Sequence, residues 1–176
     1  MKRLLGTAVA FAAEKSAPIT PRETIALFNG KAPWMRSVED QIIEGGTGDV
    51  ILVGGDERGQ AGPIFPTLMT KVRPGPKNCN PAGVPTEFEK NRIDWQFRDP
   101  EWKDVLGFRG KKDVERPVGE WNQGEAICAG GDVIYFLRGV NVNEATDGNF
   151  QAGPLHFQSE GVEIFSRKIE LHPLKK

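Results

Sequence analysis

Two cysteines, two histidines and a single tyrosine are all that this 176-residue chain contains of those types. Two cysteines cannot make a disulfide framework, so packing has to hold the fold; Cys79 and Cys128 remain able to pair in an oxidising compartment. Two histidines leave no dense His/Asp/Glu spacing of the kind that marks a metal centre. The cofactor is therefore undetermined, a divalent metal included. The formal net charge is only −1, and no basic stripe is visible. Both facts argue against a nucleic-acid partner. The pairs Lys111-Lys112 and Lys175-Lys176 read as a solvated loop and a solvated end. No apolar run is long enough to span a bilayer. Neither Gly45-Gly46 nor Gly54-Gly55 leads into Gly-Lys-Ser/Thr, which excludes a phosphate loop. Nothing supports a Ser-His-Asp arrangement. Long helical periodicity is also missing.

What the chain has instead is turns. Its 21 glycines and 13 prolines, set between short alternating runs, predict an all-β fold in one domain. Strands are expected at Thr24 to Leu27, Arg36 to Glu44, Asp49 to Val53 and Thr67 to Val72. Others are expected at Glu125 to Cys128, Val133 to Leu137, Leu155 to Glu160 and Val162 to Leu171. The unbroken apolar run in Asp49 to Val53 implies burial on both faces. Arg73 to Pro85 is too rich in proline for regular structure. Residues 86–118 read as a long crossing loop with one helical turn near Pro100-Glu101-Trp102. Loops of that length are commonly functional or mobile. Cys128, alternating with Ile127, reads as an inert core thiol. At the start, Met1-Lys2-Arg3, the apolar Leu4 to Ala13 and Ala10-Phe11-Ala12 follow the grammar of a short secretory signal. That reading gives a signal over 1–13, a polar lead-in over 14–23, a domain over 24–174, and a periplasmic or secreted location.

Chemistry concentrates in two places. In Glu39-x-Gln41 a carboxylate and an amide share one face of a strand, about 7 Å apart at Cα. The carboxylate can take a proton from a sugar while the amide orients the ring. Glu44 would face away in a regular strand, about 16 Å from Glu39. A carboxyl pair for glycoside hydrolysis needs roughly 5 to 9.5 Å, so Glu39 is expected to act without Glu44 unless a bulge intervenes. The second place is Leu155-His156-Phe157-Gln158-Ser159-Glu160. Here His156, Gln158 and Glu160 make a polar track opposite Leu155 and Phe157. The same alternation also fits a half-buried strand with a solvated face. Trp34 and Trp95 are candidate stacking platforms for a sugar. Arg36 and Arg98 are candidate donors to hydroxyls or a keto oxygen, and Trp121 reads as core.

Several stretches together carry a family resemblance: GEWN at Gly119 to Asn122, the strand ending Ile127-Cys128, the hairpin at Arg138-Gly139, and QSEG at Gln158 to Gly161. To these add EIFSRKIEL at Glu163 to Leu171, WMRSVEDQ at Trp34 to Gln41, GGTGDVILVGG at Gly45 to Gly55, and Asp94 to Val118. Over roughly residues 24–174 they resemble the 3-keto-disaccharide hydrolase domain family. The resemblance implies a concanavalin-A-like antiparallel β-sandwich (jelly roll). It implies an exported protein with a carbohydrate ligand that hydrolyses or eliminates 3-keto glycosides. Glu39 would be the general base, with Gln41 and His156 as polarising or orienting groups. Trp34, Arg36, Glu44, Trp95, Gln158 and Glu160 would line the sugar. Two alternatives stand beside this one, a non-catalytic carbohydrate-binding sandwich and an inactive truncated family member. The family has further strands where only Ala32 and Pro33 follow Lys31 here, which implies an incomplete sandwich that self-associates through open sheet edges. Arg138-Gly139 stands where the family favours Asn-Gly, Gly124 where a strand side chain should pack, and Ser166 where an aromatic is usual.

Overall fold

A computed structural model describes residues 7–11, 36–54, 66–72, 78–158 and 165–174. Within them the chain forms ten strands and no helix. They are β1 (Thr7–Phe11), β2 (Ser37–Gln41), β3 (Asp49–Val53), β4 (Thr67–Val72), β5 (Val84–Glu89), β6 (Arg92–Ile93), β7 (Gly124–Ala129), β8 (Asp132–Leu137), β9 (Val140–Ala145) and β10 (Glu170–His172). Three sheets result: five strands in the order β10-β1-β7-β8-β9, three in the order β2-β3-β6, and the β4-β5 pair. Pairing is antiparallel, as expected, except that β1 runs parallel to both β7 and β10.

One core joins the sheets. Val50, Leu52 and Ile93 of the three-stranded sheet pack with Leu68, Val72 and Phe88 of the pair. Facing them are Ala126, Val133, Tyr135, Leu137, Val142 and Ala145 of the large sheet. On β8, Val133, Tyr135 and Leu137 are buried while their alternating neighbours are not. That is the period-2 pattern of an all-β sandwich packed on one face. Reciprocal backbone bonds between Met69 and Thr146, both 2.7 Å, tie β4 to the end of β9.

The β8–β9 hairpin turns at Arg138 and Gly139, with φ of 54° and 76°. Two successive positive φ values mark a type I′ turn, and an arginine holds the first left-handed position where asparagine is favoured. The β8–β9 register shifts at Tyr135/Phe136, a bulge just before the turn.

Several sequence expectations need correction. Pro85 and residues 86–89 belong to β5, so the long irregular segment begins only after β6. Pro85 sits on an edge strand of a two-stranded sheet, where its missing donor costs little. β2 ends at Gln41, and Glu44 lies in the turn that follows. Asp49 to Val53 is buried on alternate residues rather than on both faces, apart from Asp49 itself. Residues 155–158 carry no strand; of the expected strand at Val162 to Leu171, residues 165–169 carry none, β10 takes up Glu170 and Leu171, and 162–164 lie outside the described residues. Alternation alone did not secure those strands, because period 2 without a paired neighbour leaves the backbone bonds unmade. β9 followed the hairpin without being expected. The expected helical turn near Pro100 is a single turn closed by the Trp102 N–H on the Asp99 carbonyl at 2.9 Å. Cys79 and Cys128 are both free. The expected strand at Thr24 to Leu27 lies outside the described residues.

Candidate functional site

The three-stranded sheet has two faces that the pairing register defines. Glu39 stands opposite Ile51, and Ile51 opposite Arg92. Gln41 stands opposite Asp49. Directly paired residues project to the same side, so Glu39, Gln41, Ile51, Asp49 and Arg92 share the outer face. Asp40 pairs with Val50, and Val50 with Ile93, which puts Asp40 on the core face.

The β2–β3 turn is tight. Gly45 and Gly48 have φ of 71° and 97°. A Cβ on Gly48 would lie 2.5 Å from Val142 Cγ2, so both conformation and space require glycine there. The Gly48 N–H donates to the Gln41 carbonyl at 3.0 Å and closes the turn.

The segment after β6 folds over one end of this face and is fastened to it by buried polar groups. Asp49 is fully buried. It accepts from the Trp95 N–H at 2.9 Å and pairs with Arg98. Arg98 also reaches Asp94 at 2.9 Å and lies 3.9 Å over the Trp102 ring. Trp102 Nε1 donates to the Glu44 carbonyl at 3.0 Å, and the Glu44 carboxylate accepts from the Gly107 N–H at 2.9 Å. The Glu115 carboxylate accepts from the Gly45 N–H at 3.0 Å. Burial pushes Asp49 up to about 6 against the pull of Arg98, the Trp95 N–H and Arg92. Burial likewise raises Glu115. The crossing segment is thus irregular but anchored.

Asp40 has no such partners. Its Oδ1 is sealed from solvent without a hydrogen bond among the described residues. Burial pushes its pKa up to about 8, and the Asp49 and Glu39 carboxylates add to the shift. Tyr135 and Cys128, both on the core face of the large sheet, are raised by burial first and then by Asp40.

The residues expected from sequence scatter. Glu39 and Gln41 sit together, half-buried, on the outer face. Arg36 is exposed just before β2. Glu44 is a buried anchor of the crossing segment rather than a lining residue. Trp95 is 2% exposed, with its indole N–H on the Gly45 carbonyl at 3.1 Å, and offers no face for a sugar. His156 and Gln158 are exposed in irregular chain. Trp34 and Glu160 lie outside the described residues. Trp121, expected in the core, is half-buried beneath the Arg167 guanidinium at 4.1 Å. Arg92 and Asp40 were missed. β6 has two residues and shows no alternation, and Asp40 between two polar neighbours hides that its side faces the core.

Among the described residues no group of three or more His, Cys, Asp or Glu is placed to hold a metal, and no helix is long and apolar enough to cross a membrane. A family model of the 3-keto-α-glucoside-1,2-lyase-like domain matches residues 22–172. The chain belongs to that family. The match takes in the whole outer face, from β2 through β6, together with the large sheet apart from β1. No curated protein and no solved structure matches the chain. The outer face carries Glu39 in one row with Ile51 and Arg92, and Gln41 opposite Asp49 in another.

Proposed function

We propose that the protein cleaves 3-keto glycosides by elimination, followed or not by hydration, with Glu39 as the general base. The observation that carries this is the placement of Glu39 and Gln41 side by side on the outer face of β2, within a domain of this family. A ketone at C3 acidifies the C2 proton. The C2–H bond breaks, the proton passes to the Glu39 carboxylate, and the electron pair forms C2=C3 with charge on the C3 oxygen. Collapse of that enolate restores C3=O, forms C1=C2 and breaks the C1–O glycosidic bond. The leaving oxygen takes its proton from water. In hydrolysis, water then adds back at C1. Gln41 would hold a ring hydroxyl, and a positioned base of this kind supplies about 10² to 10⁴ in rate.

Export through residues 1–13 and self-association through sheet edges belong to the same proposal. The second reading, a sugar-binding sandwich without activity, loses one of its aromatic platforms because Trp95 is buried. Incubating the purified protein with a 3-keto disaccharide, with and without EDTA, tests the proposal. Release of the leaving sugar supports it, and loss of that release in EDTA adds a metal to it. Saturable binding without release would favour the second reading.

A further inference from the structure

We infer that Arg92 holds the C3 oxygen of the substrate and takes up its negative charge as the C2 proton leaves. This rests on the proposed reaction at Glu39 and supplies the anion site that such a reaction needs. The register places Glu39, Ile51 and Arg92 in one row across the three strands of the sheet. Two strand spacings separate the outer members of the row by about 10 Å at Cα. Their side chains project from the same face on either side of Ile51. A single sugar ring laid on the half-buried Ile51 would meet a carboxylate on one side and a guanidinium on the other. Its adjacent C2 and C3 would then address the base and the cation separately.

Arg98 is another arginine near this face, and it is committed. Its side chain is 9% exposed, it pairs with Asp49 and Asp94, and Trp102 covers it. The Arg92 side chain is 37% exposed, and its polar contact among the described residues is Asp49 Oδ2 at 3.5 Å. That is a long contact to a carboxylate that Arg98 already neutralises, and it holds the Arg92 stem toward the Gln41–Asp49 row. The remaining guanidinium donors stay available in a planar fork suited to an enolate oxygen. A donor fixed where charge develops lowers the barrier without needing to bind the ground state more tightly.

Steady-state kinetics on a 3-keto disaccharide with Arg92→Gln and Arg92→Lys test this. Arg92→Gln is expected to lose about 10² to 10³ in kcat with KM little changed and with the thermal midpoint retained. Added methylguanidinium should restore part of the rate, which a purely structural role would not allow. An unchanged kcat, or a rise in KM alone, would overturn the inference. Should Arg92→Gln not fold, Arg92→Lys decides: a lower kcat at constant KM supports the role, and wild-type kcat removes it. The inference and the reading beneath it fail differently. An inactive Glu39→Gln beside a fully active Arg92→Gln removes Arg92 alone. An active Glu39→Gln, or a wild type without turnover, removes both.

Discussion

The two sides of β2 carry acids with opposite surroundings. Glu39 shares the outer face with an amide and a guanidinium. One residue on, Asp40 points into the core with a sealed oxygen that has no hydrogen bond among the described residues. The proton abstraction proposed at Glu39 needs a carboxylate that can accept a proton from substrate. A core tolerates a carboxyl group that lacks a partner by keeping it neutral. Strand alternation alone sends the two to opposite faces, so adjacent acids in a sequence are not interchangeable evidence for a site.

The largest expected effect that sharpens this contrast is on Glu39. Glu39→Gln should lower turnover of a 3-keto glycoside by about 10² to 10⁴ while leaving the melt unchanged, since the side chains are nearly isosteric. Glu44→Gln should cost far less activity, because Glu44 serves the Gly107 N–H rather than the outer face. Equal losses in the two variants would dissolve the distinction.

Next comes the fastening of the crossing segment. Arg98→Met strands the buried Asp49 charge, and breaking a buried pair from one side typically costs about 3 to 5 kcal/mol. Denaturant titration should show that loss, reduced at low pH where Asp49 is protonated. A loss below about 1 kcal/mol would place the pair with weak surface bridges.

The third effect is pH dependence. Asp40 and Asp49 both have folded pKa values above the ordinary 3.8, at about 8 and about 6. The folded state therefore holds more protons than the unfolded one across that window. Their contribution is complete below pH 3.8 and is lost as pH rises through the folded values. Between pH 6 and 8 Asp40 dominates, with a slope that tends to about 2.303RT per pH unit, the value for one proton. Asp40→Asn should flatten that stretch and keep activity. A slope that persists in the variant would show that Asp40 is not the titrating group.

The smallest effect concerns β1. Residues 7–11 pair with β7 and β10, whereas cleavage after a signal over 1–13 would remove them. N-terminal sequencing of exported protein, and light scattering of chains with and without residues 1–13, test the two uses. Loss of β1 should expose the β7 edge and raise association. A monomer in both cases would count against edge pairing.

Much of the fold was legible because turns and alternation coincide in it. β3, β4, β7 and β8 follow from short apolar runs bounded by glycine or proline. Residues 155–158 alternate apolar and polar yet run without strand structure, as do residues 165–169, since strand pairing depends on partners that local sequence does not name. Of the proposed site, Glu39 and Gln41 are the residues that the sequence pattern singles out and the register keeps on one face. Arg92 enters it through register, two strands away, and no spacing in the sequence encodes that. Trp95 and Glu44 carry residue types suited to sugar binding, but the crossing segment uses them to close over the β2–β3 turn.

The most direct measurement is C2 deuterium incorporation into a 3-keto disaccharide in D₂O, followed by NMR with wild type, Glu39→Gln and Asp40→Asn side by side. Wild type and Asp40→Asn should exchange C2–H and release the leaving sugar, while Glu39→Gln does neither above background. Exchange by Glu39→Gln at the wild-type rate, or silence confined to Asp40→Asn, would contradict the assignment of the reactive and buried acids on β2.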